Sequence, residues 1–268
     1  MREELEELVS SLLYEGYALY PYTPEATKNA TPTPFGIVYP PAYASECTGA
    51  WDHARLECVA QPGANAALTA TLRYLAPSGE RHEAQEQRVQ LGPVQTGERV
   101  SVDFDGGRLT LRSEAMPDGQ ALVRCCVHNT AAAGPGLDRA AALHSALIST
   151  HVVLEISEGR FVSPLQAGRE SVNIWPVLAT AADDAVLGAA IVLPDHPQIA
   201  PESHGNLFDN TEIEEALVLH VLALSDDERE QAASQDPVVR EMLERALAVT
   251  PAQIIGLHSG LKSDAEAG

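Results

Sequence analysis

RVSVDFDGGRLTLRSEA, residues Arg99–Ala115, decides how the rest of the chain is read. Its two runs, RVSVDF (Arg99–Phe104) and RLTLRSEA (Arg108–Ala115), alternate apolar and polar residues, and Asp105-Gly106-Gly107 lies between them. A period of two sends successive side chains to opposite faces, which marks half-buried antiparallel strands. Asp-Gly between alternating runs is a strong short-range hairpin signal, because glycine supplies the positive φ that a tight turn needs.

The same pattern extends outward in both directions. ALTATLRYL (Ala67–Leu75), RHEAQEQRVQL (Arg81–Leu91) and QALVRCCVHN (Gln120–Asn129) alternate, with APSGE and MPDGQ as further turns. A short helical stretch, LDRAAALHSAL, follows AAAGPG. STHVVLEISEGRFVSPL, VNIWPVLATA and AVLGAAIVLP then read as strands. The last is almost wholly apolar, as expected of a central strand buried on both faces. Regular strands with tight turns predict a sandwich or a strongly curved sheet.

At the N-terminus, MREELEELVSSLL places Leu5, Leu8, Val9 and Leu12 at helical spacing, and Gly16 is expected to close this helix. Near the C-terminus, SDDE (Ser225–Glu228) and TPAQ (Thr250–Gln253) are capping boxes, and Asp236-Pro237 opens a further helix. They predict helices near 226–235, 237–248 and 251–259. ALVLHVLAL before them is ambiguous between strand and helix, and its Val/Leu content favours a buried strand. The predicted fold class is α+β, mainly β: an antiparallel β-sandwich-like body with an N-terminal helix and three short C-terminal helices. We expect a single domain over 1–268, with a helix and Tyr/Pro-rich segment at 1–43, the β body at 44–195 and a loop and helical part at 196–268.

With 268 residues, the chain is long enough to bury roughly 70–75% of its unfolded surface, so its core needs no disulfide or metal. It carries 17 Lys+Arg against 38 Asp+Glu, a formal net charge of -21. Nucleic acid is therefore excluded as an expected partner, because phosphate affinity rests on cationic side chains that release counterions. No basic, unbroken apolar leader and no run long enough for a membrane span is present, so membrane insertion is not expected. Cys47, Cys58, Cys125 and Cys126 are too few for a disulfide scaffold. A cytoplasmic protein with reduced thiols is the expectation.

Chemistry-bearing motifs are scarce. G-x-S-x-G, H-E-x-x-H, Walker and Rossmann glycine patterns are all missing. Cys125 and Cys126 should diverge across a strand, while Cys126 and His128 can share a face, supplying at most two zinc ligands where three or more are needed. PDHPQIAPESHGNLFDNTE gathers Asp195, His196, Glu202, His204, Asp209 and Glu212 in a loop. Such clusters carry function more often in loops than in strands, so Asp195, His196, His204 and Asp209 are weak metal or acid–base candidates. No cofactor is implied.

Four of the seven tyrosines, Tyr14, Tyr17, Tyr20 and Tyr22, fall in LLYEGYALYPYTPEATKN (Leu12–Asn29). Tyrosine and proline give rigid surfaces with polar tips that suit interfaces; the alternative is a latch sealing the helix to the sheet. This stretch resembles the LLYEGYLLYPY…KN opening of uncharacterised proteins encoded in actinobacterial-type [NiFe]-hydrogenase gene clusters. FDNTEIEEALVLHVLALSDDE and DPVVREMLERALAVTPAQIIGLH are similar to that family's F-D-x-T-E-I segment and closing helices. Where the family carries a basic residue this chain has Thr23. The resemblance implies an accessory role: assembly or maturation of a hydrogenase by binding one of its subunits or another maturation factor. The expected contacts are Tyr14, Glu15, Tyr17, Tyr20, Tyr22, Lys28 and Asn29. The alternative is a hydrolase or metal-dependent enzyme built on the Asp195–Glu212 loop.

Overall fold

The computed structural model describes residues 3–19, 36–78 and 83–198, together with Arg240, Glu244, Leu247 and Ala248 in helical backbone. Ten strands form two antiparallel sheets of five. The first sheet has the order β4 (Arg99–Phe104), β5 (Gly107–Ala115), β6 (Ala121–Asn129), β1 (His53–Pro62), β8 (Gly159–Val162). The second runs β3 (Glu83–Gln95), β2 (Ala67–Ser78), β7 (Ile148–Ile156), β10 (Ala185–Ala189), β9 (Trp175–Leu178).

The deciding hairpin forms as its residues dictate. Phe104 pairs with Gly107, leaving Asp105-Gly106 as a two-residue loop with Gly106 at φ +76°. Along β5 and β6, Leu109, Leu111, Val123, Cys125 and Val127 point inward. They share one buried cluster with Leu56 and Cys58 of β1 and with Leu68, Leu72, Leu154 and Val186 of the other sheet. That shared cluster gives the body its sandwich-like layering. Gly188 of β10 faces the first sheet at close range, and a Cβ there would sit 2.6 Å from Leu56 Cδ1.

The second sheet is buried on both faces at β7 and β10, as near-continuous apolar strands require. Its outer face is covered by α1 (Glu3–Leu19), whose Leu5, Leu8, Val9, Leu12 and Leu13 join Leu75, Val153, Val177 and Leu187 in a second buried cluster. Ion pairs fasten helix to sheet, Glu6 meeting Arg88 Nη1 (2.8 Å) as well as the buried Arg73. Arg73, 3% exposed, donates through Nε to Glu86 Oε1 (2.7 Å), through Nη1 to Glu6 O and Oε2 (3.0 and 3.2 Å), and through Nη2 to Ser10 Oγ (2.7 Å). A buried guanidinium is tolerated only with its donors satisfied in this way.

Gly16 does not end the helix, which continues to Leu19. A lone glycine costs an α-helix only about 1 kcal/mol, so the helix runs through it. Tyr17 is thus helical. Three short helices complete the described residues: α2 (Pro41–Glu46), α3 (Arg139–Leu143) and α4 (Pro164–Ala167). α3 fills the expected helical stretch, with the Asp138 carboxylate accepting from the Ala141 amide (2.8 Å). α2, α4 and strand β1 were not foreseen. Of the three expected C-terminal helices, only four positions of the one at 237–248 are described, and they are helical. The helices at 226–235 and 251–259 and the ALVLHVLAL strand lie outside the described residues.

Candidate functional site: an apolar cleft at the edge of the two sheets

Three of the six exposed large hydrophobic side chains among the described residues meet in one place. Leu165 (58% exposed), Trp175 (37%) and Val192 (70%) line a cleft of about 330 Å³ together with Arg169, Ser171 and Asn173. The cleft forms between β9, an edge strand of the second sheet, and α4 with the segment that follows it. Trp175 begins β9, which among the described strands pairs with β10 alone. α4 brings Leu165 to the opposite wall, and Gly168 ends it in the left-handed conformation (φ +59°) that favours glycine. Asn173 fixes the floor. It adopts φ +59°, which asparagine tolerates, and its Nδ2 donates to Ile37 O (2.8 Å), while the buried Oδ1 has no hydrogen-bond partner. A tryptophan flanked by aliphatic side chains with an arginine at the rim is the composition of an interface anchor. The volume suits one or two apolar side chains of a partner.

The residues expected from sequence are placed elsewhere. Tyr14, Glu15 and Tyr17 lie on the C-terminal half of α1. Tyr20, Tyr22, Lys28 and Asn29 lie outside the described residues, as do His204 and Asp209. Asp195 spends both oxygens on the fold, accepting from Ser163 Oγ (2.5 Å) and from the Leu178 amide (2.8 Å). It ties the start of α4 to the end of β9. His196, at φ +57°, pairs through Nε2 with Asp183 Oδ1 (2.8 Å). These two side chains therefore face different partners and do not converge. Among the described residues no three His, Cys, Asp or Glu side chains are grouped to hold a metal ion.

The cysteines diverge as strand geometry requires. Cys125 enters the core and Cys126 is half-buried on the outer face, and all four cysteines are free thiols. Burial pushes the Cys58 and Cys125 thiols far above their usual range, so both are unreactive in the folded protein. On the same outer face as Cys126, the His128 ring stacks on that of His53 (centroids 5.5 Å apart), and His53 Nδ1 pairs with Asp52 Oδ1 (2.8 Å). Burial, then the neighbouring His53, lowers the His128 pKa.

The cleft was not foreseen. VNIWPVLATA was read only as a strand, and nothing in it says that Trp175 begins an edge strand. Its one local cue is the Trp-Pro pair, since proline is confined to strand edges. The sequence matches no protein-family model and no curated protein. No helix among the described residues is long and apolar enough to cross a membrane.

Proposed function

We propose that this chain is a non-enzymatic, cytoplasmic accessory protein that binds a partner protein, and that the partner is a [NiFe]-hydrogenase subunit or another maturation factor. The observation that carries the binding reading is the cleft: Trp175, Leu165 and Val192 exposed together, with Arg169 beside them. The hydrogenase setting rests on the sequence resemblance of residues 12–29 and 208–258. In this reading the tyrosine stretch adds a second contact region that includes Tyr20 and Tyr22. The enzymatic alternative is weakened, because Asp195 already holds Ser163 and Leu178.

The test is co-purification of tagged protein from cells expressing the full hydrogenase gene cluster. The wild type should retrieve a hydrogenase subunit or maturation factor. Trp175→Ser should lose it while its melting temperature stays within a few degrees of wild type, since the ring is partly exposed. Tyr20→Ala plus Tyr22→Ala should weaken it. Wild type that retrieves neither class of partner, or Trp175→Ser that retrieves it undiminished, defeats the respective half of the reading.

A further inference from the structure

The outer face of the first sheet carries charge in an order that neutral packing does not explain. Strand register places Arg99 opposite Arg112, Arg112 opposite Arg124, and Arg124 opposite Glu57, so three guanidinium groups stand side by side across β4, β5 and β6. The next row reads Ser101, Thr110, Cys126 and Arg55, and the one after it Asp103, Arg108, His128 and His53. Five of the chain's 17 basic residues thus share one sheet face in a protein with a net charge of -21.

Like charges directly opposed on a sheet are destabilising, and acidic residues to interleave them are abundant here. Partial compensation is present. Arg124 Nε donates to Glu57 Oε1 (2.5 Å), Arg112 Nη1 lies 3.2 Å from Glu114 Oε1, and Arg108 pairs with Asp103. Arg99, exposed on the edge strand, has no ion-pair partner among the described residues. Arg55 Nε is 3.7 Å from Glu57 Oε1, beyond hydrogen-bond reach, and is buried without a hydrogen-bond partner. This face therefore holds more donors than its own acids satisfy. Among the described residues, α1 packs on the other sheet and not on this face.

We propose that this arginine row docks an acidic segment of a partner protein, its carboxylates received by Arg99 and Arg112, with Arg55 of the neighbouring row beside them. Planar guanidinium groups bind carboxylates in paired, charge-assisted hydrogen bonds. Three strands spaced about 4.8 Å apart make a row roughly 10 Å wide, enough for two or three carboxylates. A long polyanion would run beyond the row onto the acidic remainder of the surface and be repelled, which favours a short peptide over nucleic acid. The proposal rests on the binding-protein reading but uses a different surface from the Trp175 cleft.

The experiment is fluorescence anisotropy with the full chain at low ionic strength. The probes are a labelled peptide of alternating Glu and Gly, its Lys counterpart and a single-stranded oligonucleotide of equal charge. The Glu peptide alone should bind, and more weakly as salt rises. Arg99→Gln should weaken it roughly tenfold, the expected value of one charge-assisted contact. Arg99→Gln is exposed on an edge strand and so spares the fold; Arg112→Gln should compound the loss, and Arg88→Gln on the other sheet should leave binding unchanged. Absence of Glu-peptide binding, insensitivity to Arg99→Gln, or equal binding of the oligonucleotide overturns the proposal. Trp175-dependent co-purification would stand in each of those cases, so the two readings fail separately.

Discussion

His151 should make the stability of this protein depend on pH between 6.5 and 4. It lies fully buried on β7, opposite Arg73, on the face covered by α1. Its Nδ1 donates to Ser149 O (2.8 Å), which leaves the Nε2 lone pair buried with no partner. Protonation would put an unsolvated charge there beside the Arg73 guanidinium, whose own counter-charges are Glu6 and Glu86. Burial first, then Arg73, lowers the pKa from 6.5 to about 4. The unfolded chain therefore takes up the proton at higher pH than the folded one. In that window the unfolded state binds more protons, so stability rises with pH. The contribution is complete above pH 6.5, falls by at most about 1.4 kcal/mol per pH unit as pH drops, and is lost at about pH 4, some 3 kcal/mol in all. Urea unfolding of wild type and His151→Leu across pH 4–7 isolates it, since the carboxylates titrate in both. The wild-type curve should fall about 3 kcal/mol further than the variant's. Parallel curves would mean that folded His151 accepts a proton freely, and the reasoning would be wrong.

Arg73→Ala takes the counter-charge from Glu86 and leaves Glu6 paired with Arg88 alone, and should cost about 1–3 kcal/mol, read by denaturant unfolding. Leu8→Ala, in the buried seam of α1, should cost about 2–5 kcal/mol in the same assay. Gly188→Val forces Leu56 and Ile174 aside and should destabilise by about 1–3 kcal/mol, read as a lowered melting temperature. Thiol titration with an aromatic disulfide should leave Cys58 and Cys125 unlabelled until denaturant is added, while half-buried Cys126 reacts in the folded protein.

The strands that could be read from sequence are those whose alternation uses large apolar residues. β4 begins and ends where RVSVDF does, and β10 is the apolar strand buried on both faces that AVLGAAIVLP implied. β1 escaped because its inward positions, Ala54, Leu56, Cys58 and Ala60, include three small side chains that carry little hydrophobic signal. Gly16 was the expected end of α1, but one glycine breaks a helix only weakly, and the helix runs through it to Leu19. The candidate sites were less legible, for a geometric reason. The arginine row depends on the register of three strands, which brings Arg99, Arg112 and Arg124 side by side. The cleft depends on α4 and the segment after it lying against an edge strand, which no local pattern encodes. Among the described residues, Tyr39 and Tyr43 come together, with ring centroids 4.9 Å apart in the α1-side cluster, outside the conspicuous run.

The position of β1 between β6 and β8 governs when the protein can assemble. Ala60 has Ala121 on one side and Phe161 on the other, so the first strand synthesised must wait for two much later ones. Hairpins β2–β3 and β4–β5 can close as soon as they emerge, because their partners adjoin in sequence. A nascent chain that stops before Phe161 leaves one edge of β1 open, a template for pairing with another unfinished chain. Folding in milliseconds to seconds, as for other non-local β topologies, is the expectation. The rate-limiting event would be closure around the strand that was made first.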